Sequence, residues 1–341
     1  MVNFIIFIIF IVGLICFIGY LYYKNEIRKV DSEHLKIKSK RATQTSNSYL
    51  YIDQQNIVRK QVITTYKTSQ NKCVDSFVVV DVETTGLYPE TDEIIQLSAI
   101  KYINNIELGR FDQYINPKRD IPVNASKING IYKTDVIDKP TINIILPSFI
   151  DFIEDYTLIA HNASFDMKFI QTALNHHKFS ILNNSVIDTL GLARSCFFDV
   201  DNHKLETLKC YLGIDVKSHN SIEDCHVTGL LYIRCKSIIE QKQKEENQVK
   251  RNLKGIEHEK SGELEKAIEL YEQNITEGFN GNHPYDRLAI IYRKLKKPED
   301  EIRVLEKAIY VFNIVNEDRG DRLAKLQKFN ERLEKIKSKV S

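Results

Sequence analysis

The segment FVVVDVETTGL, residues 77–87, constrains this chain most strongly. Four apolar residues run into Asp81, and Glu83 follows one residue later. Side chains on a strand alternate faces, so a strand here puts Asp81 and Glu83 on one side and Val80 and Val82 on the other. The valines suit a packed layer. Two carboxylates sharing a face repel one another and lose hydration, which is unfavourable unless a cation sits between them. Hard oxygen ligands of this kind suit magnesium or manganese. The competing reading is an edge strand with two solvated acids, and the apolar run before Asp81 argues against it.

Two further stretches carry weaker signals. In AHNASFDMKFI, residues 160–170, a strand end leads through Asn162 and Ser164 into a helix with Asp166 near its start. An acid there is ordinary complementation of the helix dipole. In HNSIEDCHVTGLLYI, residues 219–233, Ser221 and Asp224 have the spacing of a capping box. His219 alone would be a loop histidine. Each residue taken singly has a bland explanation.

Around these stretches the pattern alternates strand and helix. Strands are expected at Val78–Val82, Ile94–Tyr102, Arg110–Ile115, Leu158–Ala160 and Val186–Thr189, with Asn105 turning the chain between the second and third. Helices are expected at Met167–His176, Leu205–Leu212 and Cys225–Glu240. That mixture predicts an α/β domain over residues 76–240 with a mixed sheet.

The order Asp81-x-Glu83, then Asp166, then His219-x4-Asp224 resembles the DnaQ-like 3′–5′ exonucleases of the DEDDh type. The intervening segments IIQLSAIKY, INPKRDIPVNASKINGI, VIDTLGLAR and HKLETLKCYLGID resemble that family's landmarks, and the likeness covers about residues 76–236. It implies an RNase H-like mixed sheet flanked by helices. It also implies hydrolysis of phosphodiester bonds at the 3′ end of DNA or RNA, using two Mg2+ or Mn2+ ions. By resemblance Asp81 bridges both ions, Glu83 and Asp224 complete the nucleophile-side metal, and Asp166 serves the leaving-group side. His219 is the implied general base. Thr84, Thr85, Gly86 and Leu87 are expected at the substrate's terminal nucleotide, with His161 and Asn162 lining the site. One departure is Asn129-Gly130 where the family often has His-Gly.

The rest of the chain reads differently. Residues 4–23 contain twenty consecutive residues without a charge, enough to cross ~30 Å of hydrocarbon as a helix. Bulky Leu21, Tyr22 and Tyr23 stand where a cleavage site would need small residues, so an uncleaved anchor is expected. Lys24, Arg28, Lys29, Lys36, Lys38, Lys40 and Arg41 follow the span, and positive-inside places the bulk of the chain on the cytoplasmic face. Residues 24–75 read as a basic juxtamembrane stretch and linker, with some strand around Val62–Tyr66. From 245 to 341 the sequence is charged and helical. GELEKAIELYEQNI and PEDEIRVLEKAIYVF resemble helices of tetratricopeptide repeats, which would bind a protein partner. That resemblance motivates an alternative in which the repeats act as a membrane scaffold and the nuclease fold merely holds nucleic-acid ends.

A formal charge of +2 excludes a global basic field as the basis of nucleic-acid binding. The six cysteines show no CxxC and no zinc-ligand spacing with histidine, and read as reduced thiols in a cytosolic setting.

Overall fold

The structure is a computed structural model that describes residues 60–68, 73–215, 220–314 and 321–340. The apolar run 4–23 and the charges after it lie outside these residues, as does His219. Among the described residues no helix is long and apolar enough to cross a membrane.

Six strands form one mixed sheet: β1 (Lys67–Thr68), β2 (Phe77–Thr84), β3 (Ile94–Ile103), β4 (Ile106–Tyr114), β5 (Thr157–Ala160) and β6 (Ser185–Asp188), in the spatial order β1-β6-β5-β2-β3-β4. β2, β3 and β4 are an antiparallel meander, while β5 runs parallel to β2, and β6 to β5. This arrangement is RNase H-like. The β3–β4 hairpin turns on Asn104 and Asn105, both with positive φ (51° and 63°), a conformation that asparagine tolerates and two-residue hairpins require.

The alternation of β2 divides the core. Val78, Val80 and Val82 belong to one apolar cluster, and Phe77 and Val79 to another on the opposite face. The first is covered by α3 (Ile142–Ile153) and α4 (Ser164–His176), preceded in the chain by α1 (Val123–Asn129) and α2 (Lys133–Val136). After β6 come α5 (Thr189–Cys196) and α6 (Leu205–Tyr211). The second face is covered by the start of α7 (Ser221–Lys260), whose Ile222, Cys225 and Tyr232 pack on Phe77, Val79 and Tyr102. The glycine at 229 allows this approach, because a Cβ there would stand 2.6 Å from the Tyr102 ring.

α7 continues for 40 residues without a break. The boundary expected between 240 and 245 therefore falls inside one helix, whose second half joins α8 (Leu264–Thr276), α9 (His283–Lys294), α10 (Pro298–Ile314) and α11 (Arg322–Val340) around a separate apolar cluster. Gly255 of α7 lies against the buried Tyr271 ring of α8. Ion pairs lace the surface, among them Arg287 with Glu259, and Arg303 with Glu272 at 2.6 Å.

The expected strand at Val62–Tyr66 is displaced. Only Lys67–Thr68 pair, parallel to Ser185–Val186, and residues 60–66 are bound extended chain rather than a free linker.

Candidate active site

β2 continues past the end of its pairing with β5, which stops at Val79. The backbone N–H of Val82 therefore has no strand partner on that side. Asp166 fills the gap: from the first turn of α4, its Oδ1 accepts a hydrogen bond from Val82 N at 3.2 Å, and the side chain is buried. The crevice lies at the carboxyl ends of parallel strands, where open α/β sheets place their ligand sites.

Asp81 and Glu83 emerge on the face covered by α7. Ser221 starts that helix and donates its hydroxyl to the carbonyl of Asp81 at 3.0 Å, and Asn220 caps it. The Ser221–Asp224 capping box suggested by the spacing does not form: Asn220 is the cap, accepting from Glu223 N at 3.5 Å, and the Ser221 hydroxyl instead locks the helix start onto β2. One turn of α7 then delivers Asp224. Ligand oxygens of Asp81, Glu83 and Asp224 lie within 4.8 Å of one another.

The electrostatics of this cluster are unfavourable by design of the fold. Burial, followed by the charges of Asp166, Glu83 and Asp224, drives the Asp81 carboxyl well above the usual carboxylate range. Burial and the Asp224 charge push Glu83 up to about 7. Burial also raises Asp166, against the opposing pull of its backbone hydrogen bonds. Such a set binds its protons tightly unless a divalent cation replaces them. Three convergent hard oxygen donors fit magnesium or manganese.

The expected substrate residues divide by what already occupies them. The Thr84 hydroxyl donates to Gly86 O at 2.6 Å. The Thr85 hydroxyl donates to Asp92 and accepts from Glu93 N at 3.0 Å. Gly86 is needed because a Cβ there would stand 2.4 Å from the Asp92 carboxylate, which also binds Tyr88 N at 3.0 Å. These three residues shape the loop, and it presents Leu87, 71% exposed. Both ring nitrogens of His161 are engaged, by Thr189 and by the carbonyl of His203, each at 2.9 Å, and burial holds its pKa below the ordinary value. Asn162, at φ 64°, gives its N–H to Asp188. Asn129 is buried and ties α1 to the end of β2, donating to Thr84 O at 3.3 Å and accepting from Ile131 N at 3.0 Å.

Sequence reasoning missed Asp188, and gave Ser221 a capping role in place of its bond to Asp81 O. Asp188 ends β6, caps α5 through Leu190 N at 2.9 Å and holds the Asn162 backbone. Its signal was an acid closing an apolar strand, the same pattern as Val80-Asp81.

Residues 78–232 match the RNase T exonuclease family model. A PolC-type DNA polymerase III of Bacillus cereus is 37% identical over 168 residues, covering 49% of this chain and 12% of that protein. The PolC-type polymerase of Staphylococcus aureus is 34% identical over 160 residues, 47% of this chain and 11% of that one. Exonuclease X, solved with 5′-overhanging duplex DNA, is similar at 23% identity and TM-score 0.40, over 47% of this chain and 91% of its own. E. coli exonuclease I with a dT13 oligonucleotide gives 19% identity and TM-score 0.45, over 49% and 42%. This chain thus spans only about an eighth of the length of the polymerases it matches. Its residues 78–232 are similar to an exonuclease family and to a segment of those polymerases.

Proposed function

We propose that this chain is a metal-dependent 3′–5′ exonuclease that removes nucleoside 5′-monophosphates from single-stranded or frayed DNA or RNA. The observation that carries the reading is the convergence of Asp81, Glu83 and Asp224, with Asp166 buried beside them, inside a domain that matches an exonuclease family.

Two bound Mg2+ or Mn2+ ions would supply Lewis-acid activation of water and neutralisation of phosphate charge. Asp81, Glu83, Asp224 and Asp166 would hold them. β2 and the Ser221 bond keep Asp81 aimed, and α4 keeps Asp166 at the strand gap. His219, in the segment just before α7, takes the proton from the attacking water, a task suited to an imidazole of pKa near 6.5. Leu87 packs against the terminal nucleotide. The apolar run 4–23 supports a tether that keeps this activity at the cytoplasmic face of a membrane, and the helices after α7 offer a surface for a protein partner.

The test is incubation of the full chain, in detergent, with 5′-labelled single-stranded DNA and RNA and either metal, beside Asp81→Ala and His219→Ala. Stepwise 3′ shortening that both variants lose supports the reading. Absence of shortening of either polymer overturns it.

A further inference from the structure

The segment before the matched domain is built into the wall of the site. Lys60 fixes one end: its N–H donates to Glu90 O at 3.0 Å, and its ammonium reaches Asp92 O at 2.8 Å and Glu93 at 2.6 Å. Ile63 N donates to Thr172 of α4 at 3.1 Å. Tyr66 packs against the apolar cluster that α4 covers, and β1 then joins the sheet beside β6. The strap therefore crosses α4 from the loop after Glu83 to the far side of the sheet.

Between the strap and the domain lies a cavity of about 380 Å3. Val62 and Thr64 form its outer wall, facing Leu87, Asn162 and Phe165. Lys168 stands in the lining, one half-turn after Asp166 on α4, and among the described residues no carboxylate forms a salt bridge with it. Largely apolar walls with Lys168, and Glu90 as the one carboxylate of the lining, suit a nucleotide unit: flat faces for a base and an ammonium for its phosphate.

We infer that the strap Lys60–Tyr66 is the outer wall of a slot that holds one unpaired nucleotide of the substrate strand, with Lys168 contacting its phosphate. This rests on the exonuclease reading. Phe165 in its lining directly precedes Asp166 on α4, so a strand lying in the slot is held next to the element that carries that ligand. It is walled on the strap side, so a base still paired to a second strand cannot enter. The strap and Lys168 are thus positioning residues, and they select for unpaired ends.

The test is steady-state kinetics of the full chain in detergent micelles, on a single-stranded oligonucleotide and on a blunt hairpin of the same 3′ sequence. Lys168→Ala should raise KM for the single strand by about tenfold and leave kcat within about twofold, the signature of lost uniform binding. Thr64→Trp fills the slot and should raise KM at least as much. Releasing the strap with Lys60→Ala and Ile63→Pro should narrow the preference for the single strand over the hairpin. Melting curves that match wild type show that Lys168→Ala and Thr64→Trp fold. Unchanged KM in both, with wild type active, overturns the slot and leaves the exonuclease reading intact. An inactive wild type overturns that reading. Anisotropy of a labelled single strand then decides the slot alone, since equal binding by wild type and Lys168→Ala refutes it.

Discussion

The carboxylate cluster makes a specific demand on stability, and Glu83→Gln tests it. In the metal-free fold Glu83 titrates at about 7, against an ordinary 4.5, because it is buried beside Asp224. A carboxyl whose folded pKa is raised contributes its full stability below 4.5 and loses it as pH rises through about 7. At about 1.36 kcal/mol per pH unit, that interval is worth at most about 3 kcal/mol of wild-type stability lost by pH 8. Glutamine keeps the shape and never ionises. In EDTA the variant should therefore match wild type near pH 4.5 and melt higher at pH 8, by roughly 5–10 °C. Magnesium should reverse the ranking, since it raises the wild-type melting temperature by ligand linkage and the variant has lost a ligand. The variant should be inactive throughout. Scanning calorimetry at pH 4.5, 6 and 8, with EDTA or 10 mM magnesium (roughly a saturating dose for such sites), reads all of this. A melting difference that does not change with pH, or equal magnesium gains in both proteins, refutes the argument that these acids are held together against their own repulsion.

Asp166→Asn keeps an oxygen for Val82 N and removes the charge. It should match the wild-type melting temperature near pH 4, where the folded protein holds Asp166 protonated, while cutting exonuclease rate at neutral pH by more than the roughly 10–100-fold of an outer-shell partner, measured by single-turnover cleavage. Asn129→Ala leaves the buried Ile131 N–H without its acceptor and frees the end of β2 from α1. Denaturant melts should show a loss of about 1–3 kcal/mol. Gly229→Ala drives a methyl into the Tyr102 ring, itself stacked on Phe77 at 4.9 Å, and should cost about 1–3 kcal/mol without altering the metal response at low temperature.

Much of the nuclease domain was legible because its signals are local. A run of four apolar residues closed by acids reads as a strand with a buried face, and paired asparagines at 104–105 can turn a hairpin with little strain. The helices at 133–136 and 189–196 were not anticipated, since short segments leave too few turns for a period to emerge. The end of α7 was misplaced because the switch from apolar to charged composition near 240 marks only the helix leaving one core, before it enters another. Hydrogen bonding within a helix does not register what packs outside it.

By itself the sequence determined which side chains could hold a cation: the period of a strand puts Asp81 and Glu83 on one face, and the ordered spacing of Asp166 and Asp224 ties them to a known pattern. Tertiary structure decided how they meet. Asp166 is bound because β5 ends early and leaves Val82 N–H open. Asp224 converges because Ser221 grips the carbonyl of Asp81, 140 residues away in sequence. It also decided that residues 60–66, without period in the sequence, dock against α4 and the loop after Glu83. Contacts across such separations depend on which backbone groups other strands leave unpaired, and no local run of residues encodes that.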